Sequence, residues 1–179
     1  MRLTATLATA LLMTLSLGAI ADEVPIPGKQ EQVIQLVDLY AERYASTDHD
    51  LQRSKLRTER DRAIAEAIGD DGTVHDWVGT VIGLRTTRDG AAAVLIELDD
   101  RLVVGTARYR LGDEHGTLIE QSSPLYDILA EIEKGQTVVF SGRIVGMPDR
   151  PEHDSMERAA LLVKLGYVAD LRAHQALPF

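Results

Sequence analysis

Val74-His75-Asp76-Trp77-Val78-Gly79-Thr80-Val81-Ile82-Gly83-Leu84-Arg85 reads as a β-strand with two glycines in its interior. β-Branched and aromatic residues crowd it, as they do strands in general. Glycine weakens a straight strand, so Gly79 and Gly83 mark positions where this one bends or bulges. A curling first strand is what a small closed barrel requires, because that strand serves both halves of the sheet.

Downstream the period-2 pattern recurs. Arg88-Asp89-Gly90 is a turn, followed by a strand over Ala92 to Leu98 with Ala92, Val94, Ile96 and Leu98 on one face. Asp99-Asp100 turns the chain into a third strand, Leu102 to Ala107. Ser122-Ser123-Pro124 then opens a short helix, since a serine cap before a first-turn proline is a specific start signal. Leu125, Ile128, Leu129 and Ile132 supply its apolar face and Gly135 stops it. The fourth strand runs from Thr137 to Val145, with Val138, Phe140, Gly142 and Ile144 facing one way. After a proline-containing loop, Met147 to Asp154, a fifth strand is expected over Ala160 to Val168, although its leucines would also suit a helix. Three strands, a short helix and two strands is the element order of the five-stranded Greek-key OB barrel. The expected class is mainly β, an OB-like barrel with an N-terminal α-helical arm.

Upstream, Gly69-Asp70-Asp71-Gly72 closes a helical region. Val33, Val37, Tyr40 and Tyr44, joined by Leu36, form an amphipathic stripe, and Ala63, Ile64, Ala67 and Ile68 resume it. Between them Thr47 and Asp50 are spaced as a capping box, so residues 29–68 form either one long helix or two. Val24-Pro25-Ile26-Pro27-Gly28 is an extended lead-in. Ahead of it, Arg2, the apolar run Leu7 to Leu17 and Ala19-Ile20-Ala21 match a secretory signal cleaved between Ala21 and Asp22. That apolar run is short of the roughly 20 residues a membrane span needs. The expected division is a signal at 1–21, a lead-in and arm at 22–72, and a barrel at 73–179, with the product periplasmic or secreted.

The chain has no cysteine, which removes disulfides, thiolate metal sites and a lipidated N-terminal cysteine. It carries 19 basic against 28 acidic residues, a formal charge of −9. Loss of Arg2 with the signal makes it one unit more negative. Such a surface repels phosphate backbones and anionic lipid heads.

Trp77-Val78-Gly79-Thr80-Val81, Thr117-Leu118-Ile119 leading into Ser122-Ser123-Pro124-Leu125, and Gly135-Gln136-Thr137-Val138-Val139-Phe140-Ser141-Gly142 together resemble the secreted bacterial OB-fold proteins of unassigned function, grouped with the anticodon-binding-like OB domains. Gln52, Ser54, Arg57, Arg60 and Arg62 resemble their N-terminal region. The resemblance implies the fold and export and brings no catalytic residues. It departs at Asp154-Ser155-Met156, where a Gly-Ser-Met segment is expected.

Candidate chemistry is sparse. His75-Asp76, Asp113-Glu114-His115 and Glu152-His153-Asp154 each set an imidazole beside carboxylates, so His75, His115 and His153 are metal candidates if the fold brings them together. Sequence neighbours on a strand point to opposite faces, which favours polar turns over a shared site. Ser122, Ser123 and Ser141 lack a nucleophile elbow, and phosphate-cradle and dinucleotide patterns are missing. No cofactor is expected, and an enzyme would need a constellation assembled from scattered residues. Arg53, Lys55, Arg57, Arg60 and Arg62 read as a solvated helix face balanced by Glu59, Asp61 and Glu66, with an anion patch as the other reading. An OB face that holds a ligand would draw on Trp77, Tyr109, Tyr126 and Arg143, although Trp77 and Phe140 also suit a core. These features point to an exported, non-catalytic binding module with a protein, peptide or envelope-glycan partner. Single-stranded nucleic acid is the second reading, opposed by the acidic charge and few aromatics, and a metal-dependent activity is the third. Residues 29–68 are expected to dock on the barrel, with self-association as the alternative.

Overall fold

The computed structural model describes residues 25–146 and 158–171. The expected signal, the loop over Met147 to Asp154, and His153 lie outside them. Two helices, α1 (Gly28–Ala45) and α2 (Asp50–Ile68), precede five strands: β1 (Thr73–Thr86), β2 (Ala92–Asp99), β3 (Leu102–Gly105), β4 (Thr137–Gly146) and β5 (Ala159–Asp170). A short helix, α3 (Pro124–Ala130), lies between β3 and β4. The strands close a barrel in the order β1-β2-β3-β5-β4. Every pairing is antiparallel except β3 with β5, which run parallel from Leu102↔Ala159 to Gly105↔Leu162. The expected OB-like barrel is therefore the fold, and the leucine-rich last segment is a strand.

β1 curls as its glycines imply. Its first half pairs with β4, from Thr73↔Arg143 to Thr80↔Thr137, and its second half with β2, from Thr80↔Glu97 to Thr86↔Ala92. A Cβ on Gly79 would meet the Glu97 carbonyl oxygen and Ile96 Cγ2, each at 2.6 Å, so no side chain fits where β2 comes alongside. Register slips at two bulges, between Val74 and Trp77 and between Val81 and Gly83. At the first, Asp76 takes a φ of 52°, a left-handed conformation that Asp accepts more readily than most residues. The Ser141 hydroxyl accepts from its backbone N–H at 2.9 Å.

The core is continuous from barrel to arm: Val33 and Val37 of α1, Ile64 and Ile68 of α2, and Trp77, Val81, Ile96 and Phe140 of the barrel belong to one buried cluster. The stripe on α1 thus docks on its own barrel through its first half. Gln30 fixes the seam. It is fully buried, its Oε1 accepts from the Val78 N–H at 2.8 Å and its Nε2 donates to the Val78 carbonyl at 2.7 Å. β2 pairing begins only at Thr80, so this carboxamide stands in for the missing strand on the bare edge of β1. Lys29 Nζ donates to the Ile68 carbonyl at 2.8 Å and so closes α2.

The arm is two helices, broken at Ser46 to His49. Thr47 does not open α2 through a capping box. Its hydroxyl donates back to the Arg43 carbonyl at 2.7 Å, beside that of Ser46 at 2.9 Å, and together they satisfy the end of α1. The solvated-face reading of the basic run holds in part. Lys55 pairs with Glu59 at 3.7 Å, and the Arg53 guanidinium lies 4.9 Å from the Tyr44 ring centroid. Arg60, by contrast, is fully buried, with Asp61 3.0 Å away.

α3 begins as expected, the Ser123 hydroxyl accepting from the Leu125 N–H at 3.3 Å. It ends at Ala130, earlier than Gly135 implied; Leu129 is buried while Ile128 is 37 % exposed. β3 ends at Gly105 and not at Ala107, because after Thr106 donates to the Val94 carbonyl the chain leaves the sheet.

Candidate functional site

The segment from Thr106 to Gln121 folds over the β1–β2 hairpin and forms the most elaborated surface of the barrel. Ile119 bridges to Ala92, and Ala91, Ala93, Ala107 and Leu118 make a small second core beneath the segment. Asp113 organises its turn. One carboxylate oxygen accepts from the Thr117 N–H at 2.6 Å and hydroxyl at 2.7 Å, and the other from the Leu118 N–H at 2.9 Å. Partial burial pushes this carboxyl up, but those three hydrogen bonds outweigh it and hold it below its ordinary range.

Arg110 bolts the segment to the hairpin. Its Nε donates to Asp89 at 2.6 Å, and its terminal nitrogens form a fork on Glu120 at 2.5 and 3.2 Å. Asp89 also accepts from the Thr87 hydroxyl at 2.6 Å, the leading cause of its lowered pKa, with Arg110 second. Glu120 is lowered chiefly by Arg110, whose own pKa is raised in return by both carboxylates. Both carboxyls bind protons less readily folded than unfolded. Their contribution is therefore complete above the unfolded carboxylate range and is lost as pH falls through the lower folded values. We expect the Arg110 Nε–H signal in NMR to stay sharp and exchange-protected at neutral pH and to lose protection only as pH falls below the ordinary carboxylate range. Asp89→Asn replaces the anion that accepts from Nε–H and will weaken that protection already at neutral pH, whereas an unchanged signal would mean that the clamp does not form.

Around this clamp the chain displays apolar side chains. Tyr109 is 61 % exposed and Leu111 fully exposed, on either side of the anchored Arg110. Nearby, Leu84, Arg85, Thr86, Ala92, Tyr126 and Leu129 line an open cleft of about 180 Å³. Comparison with protein-family models, with curated proteins and with solved structures returns no match.

The four binding candidates do not converge. Tyr109 and Tyr126 flank the same hairpin, Tyr126 beside Thr86 and Ala92, and Tyr109 beside the residue that grips Asp89. Arg143 is exposed on β4, opposite Thr73 at the far end of β1. Trp77 must be removed from the set. It is fully buried and meets the Phe140 ring edge-on at 6.3 Å between centroids, so a ligand reaches it only by opening the barrel. His75 and His115 are exposed, on the β1 bulge and in the Asp113 turn. No group of three or more metal-ligating side chains comes together among the described residues. Sequence reasoning missed the Arg110 clamp, whose partners lie 21 and 10 positions away with no local pattern joining them.

Proposed function

We propose that this protein is an exported, non-catalytic binding module of the cell envelope that holds a protein or peptide partner at the hairpin end of its barrel. The carrying observation is the fixed display of Tyr109 and Leu111 in solvent on a segment pinned by Arg110 and Asp113. Ordering such a loop ahead of binding lowers the entropic cost of association, and exposed aromatic and aliphatic anchors are where interface energy concentrates. Export is supported by the signal pattern at 1–21. The resemblance to secreted bacterial OB-fold proteins supports the same setting, and OB barrels use one face and its loops as a docking surface.

The test uses wild type and Leu111→Ser as bait in envelope extract. Leu111 packs on nothing, so the variant will keep the wild-type melting temperature while its capture of the same partner falls about tenfold. No reproducible partner together with a measurable hydrolase activity would reverse the reading. Salt-sensitive binding of a labelled single strand at micromolar protein would replace it with nucleic-acid binding.

A further inference from the structure

The ladder between β4 and β5 sets Arg143 directly opposite Lys164. The flanking pairs are Gly142↔Leu165 and Ile144↔Val163, and Leu165, Val163 and Ile144 all pack on the barrel core. Side chains alternate along a strand, so Arg143 and Lys164 both stand on the outer face, and both are exposed. Like charges directly opposed across an antiparallel ladder repel one another. Neither cation has an ion pair or a side-chain hydrogen bond among the described residues. Arg43, Lys55, Arg101 and Arg110 each sit against a carboxylate, whereas this couple, like the exposed Arg85 and Arg88, has none among the described residues. Of the acids around the start of β1, Asp71 accepts from the Thr73 N–H, and Asp76 is turned to Ser141, whose hydroxyl serves its backbone N–H.

We infer that Arg143 and Lys164 form a binding site for a phosphomonoester carried by a small neutral molecule, a sugar phosphate. Two directly opposed cations match the charge of a phosphomonoester, which is close to −2 at neutral pH, better than that of a single carboxylate. Arginine supplies a planar fork and lysine a movable point charge, two complementary ways of holding phosphate oxygens. The surroundings suit a small polar ligand. Thr73 pairs with Arg143 on its other side, and Gly116 lies beside Lys164, where a Cβ would sit in ordinary contact at 3.9 Å from Nζ. The net negative charge of the chain disfavours extended polyanions and anionic membranes, which leaves an isolated phosphate on an uncharged carrier as the matching chemistry. The site lies at the start of β1, beside the Asp113 turn of the segment that carries Tyr109, but uses neither Tyr109 nor Leu111, so its failure would leave the docking proposal untouched.

The experiment is an NMR titration of the full chain at constant ionic strength with glucose 6-phosphate, inorganic phosphate and glucose as probes, alongside thermal unfolding. Glucose 6-phosphate is expected to shift the Arg143 and Lys164 amides saturably and to raise the melting temperature, and glucose to do neither. Arg143→Gln or Lys164→Gln should weaken binding about tenfold, the loss of one charge-assisted contact. Lys164→Glu should abolish it, and without ligand should melt higher than wild type because Arg143 then faces a carboxylate. Equal affinity for inorganic phosphate would overturn the sugar carrier. No saturable shift at these two amides, or an undiminished response in Lys164→Gln, would overturn the site.

Discussion

Val37→Asp will leave this protein unfolded or nearly so at room temperature. Val37 is fully shielded from solvent and belongs to the cluster that joins both helices to the barrel. A carboxylate there has no partner, and burying an unpaired charge costs far more than a lost methyl group. The expected loss exceeds about 4 kcal/mol, a substantial part of what holds most domains folded. Val37→Ala, which only removes buried methyls, will cost roughly 2 kcal/mol and leave a foldable protein for comparison. Urea denaturation of the alanine variant and circular dichroism of the aspartate variant read these directly. The stripe has a second reading, in which it mediates self-association. On that reading Val37→Asp leaves the melting temperature alone and turns a dimer into a monomer in light scattering, an outcome that would defeat docking on the barrel. Gln30 argues for docking independently of packing, because its amide completes the backbone pairing of Val78 in the same seam.

The architecture was legible wherever a local pattern carries it. Alternating Val94, Ile96 and Leu98 marked β2, Ser123 with Pro124 marked the start of α3, and glycines inside β1 marked its bending. Each rests on stereochemistry within a few residues. What stayed hidden depends on partners far along the chain. A hydroxyl three residues before a carboxylate reads as a cap for the next helix, yet Thr47 caps the previous one, because both ends compete for it and only the fold decides. Gln30 looked like one more polar residue on a helix, since nothing near it announces that Val78, 48 positions away, lacks a strand partner. The Arg110 clamp was hidden in the same way. Histidines beside carboxylates form local patterns that suggest chemistry, and adjacency alone says nothing of convergence; no group of three metal-ligating side chains comes together among the described residues. Arg143 stood among the candidates for the barrel face, but its place opposite Lys164 is set by the β4–β5 register, which no local pattern announces.

Trp77 carries the second large expected effect and separates core from ligand surface most cleanly. It is the sole tryptophan in the chain, so intrinsic fluorescence excited at the indole reports this one position. It is fully buried at the register pair Trp77↔Phe140, next to the first bulge of β1, and meets Phe140 at an interplanar angle of 75°, the edge-on geometry aromatic rings prefer. Removing the indole leaves a cavity in a barrel whose walls are tied by hydrogen bonds all the way round, so the site collapses poorly. Trp77→Ala is therefore expected to cost about 3–5 kcal/mol, against less than about 0.5 kcal/mol for Tyr109→Ala on the exposed segment. The wild-type emission will be blue-shifted in the folded state and move to the red in a single step as the barrel opens. If Trp77 were part of a docking face, the relation would reverse: partner or nucleic acid would quench or shift the folded-state emission, and Trp77→Ala would weaken binding while sparing stability. With the ring closed in by Phe140 and the surrounding strands, ligand titrations should leave its emission unchanged while Tyr109 and Leu111 set the affinity.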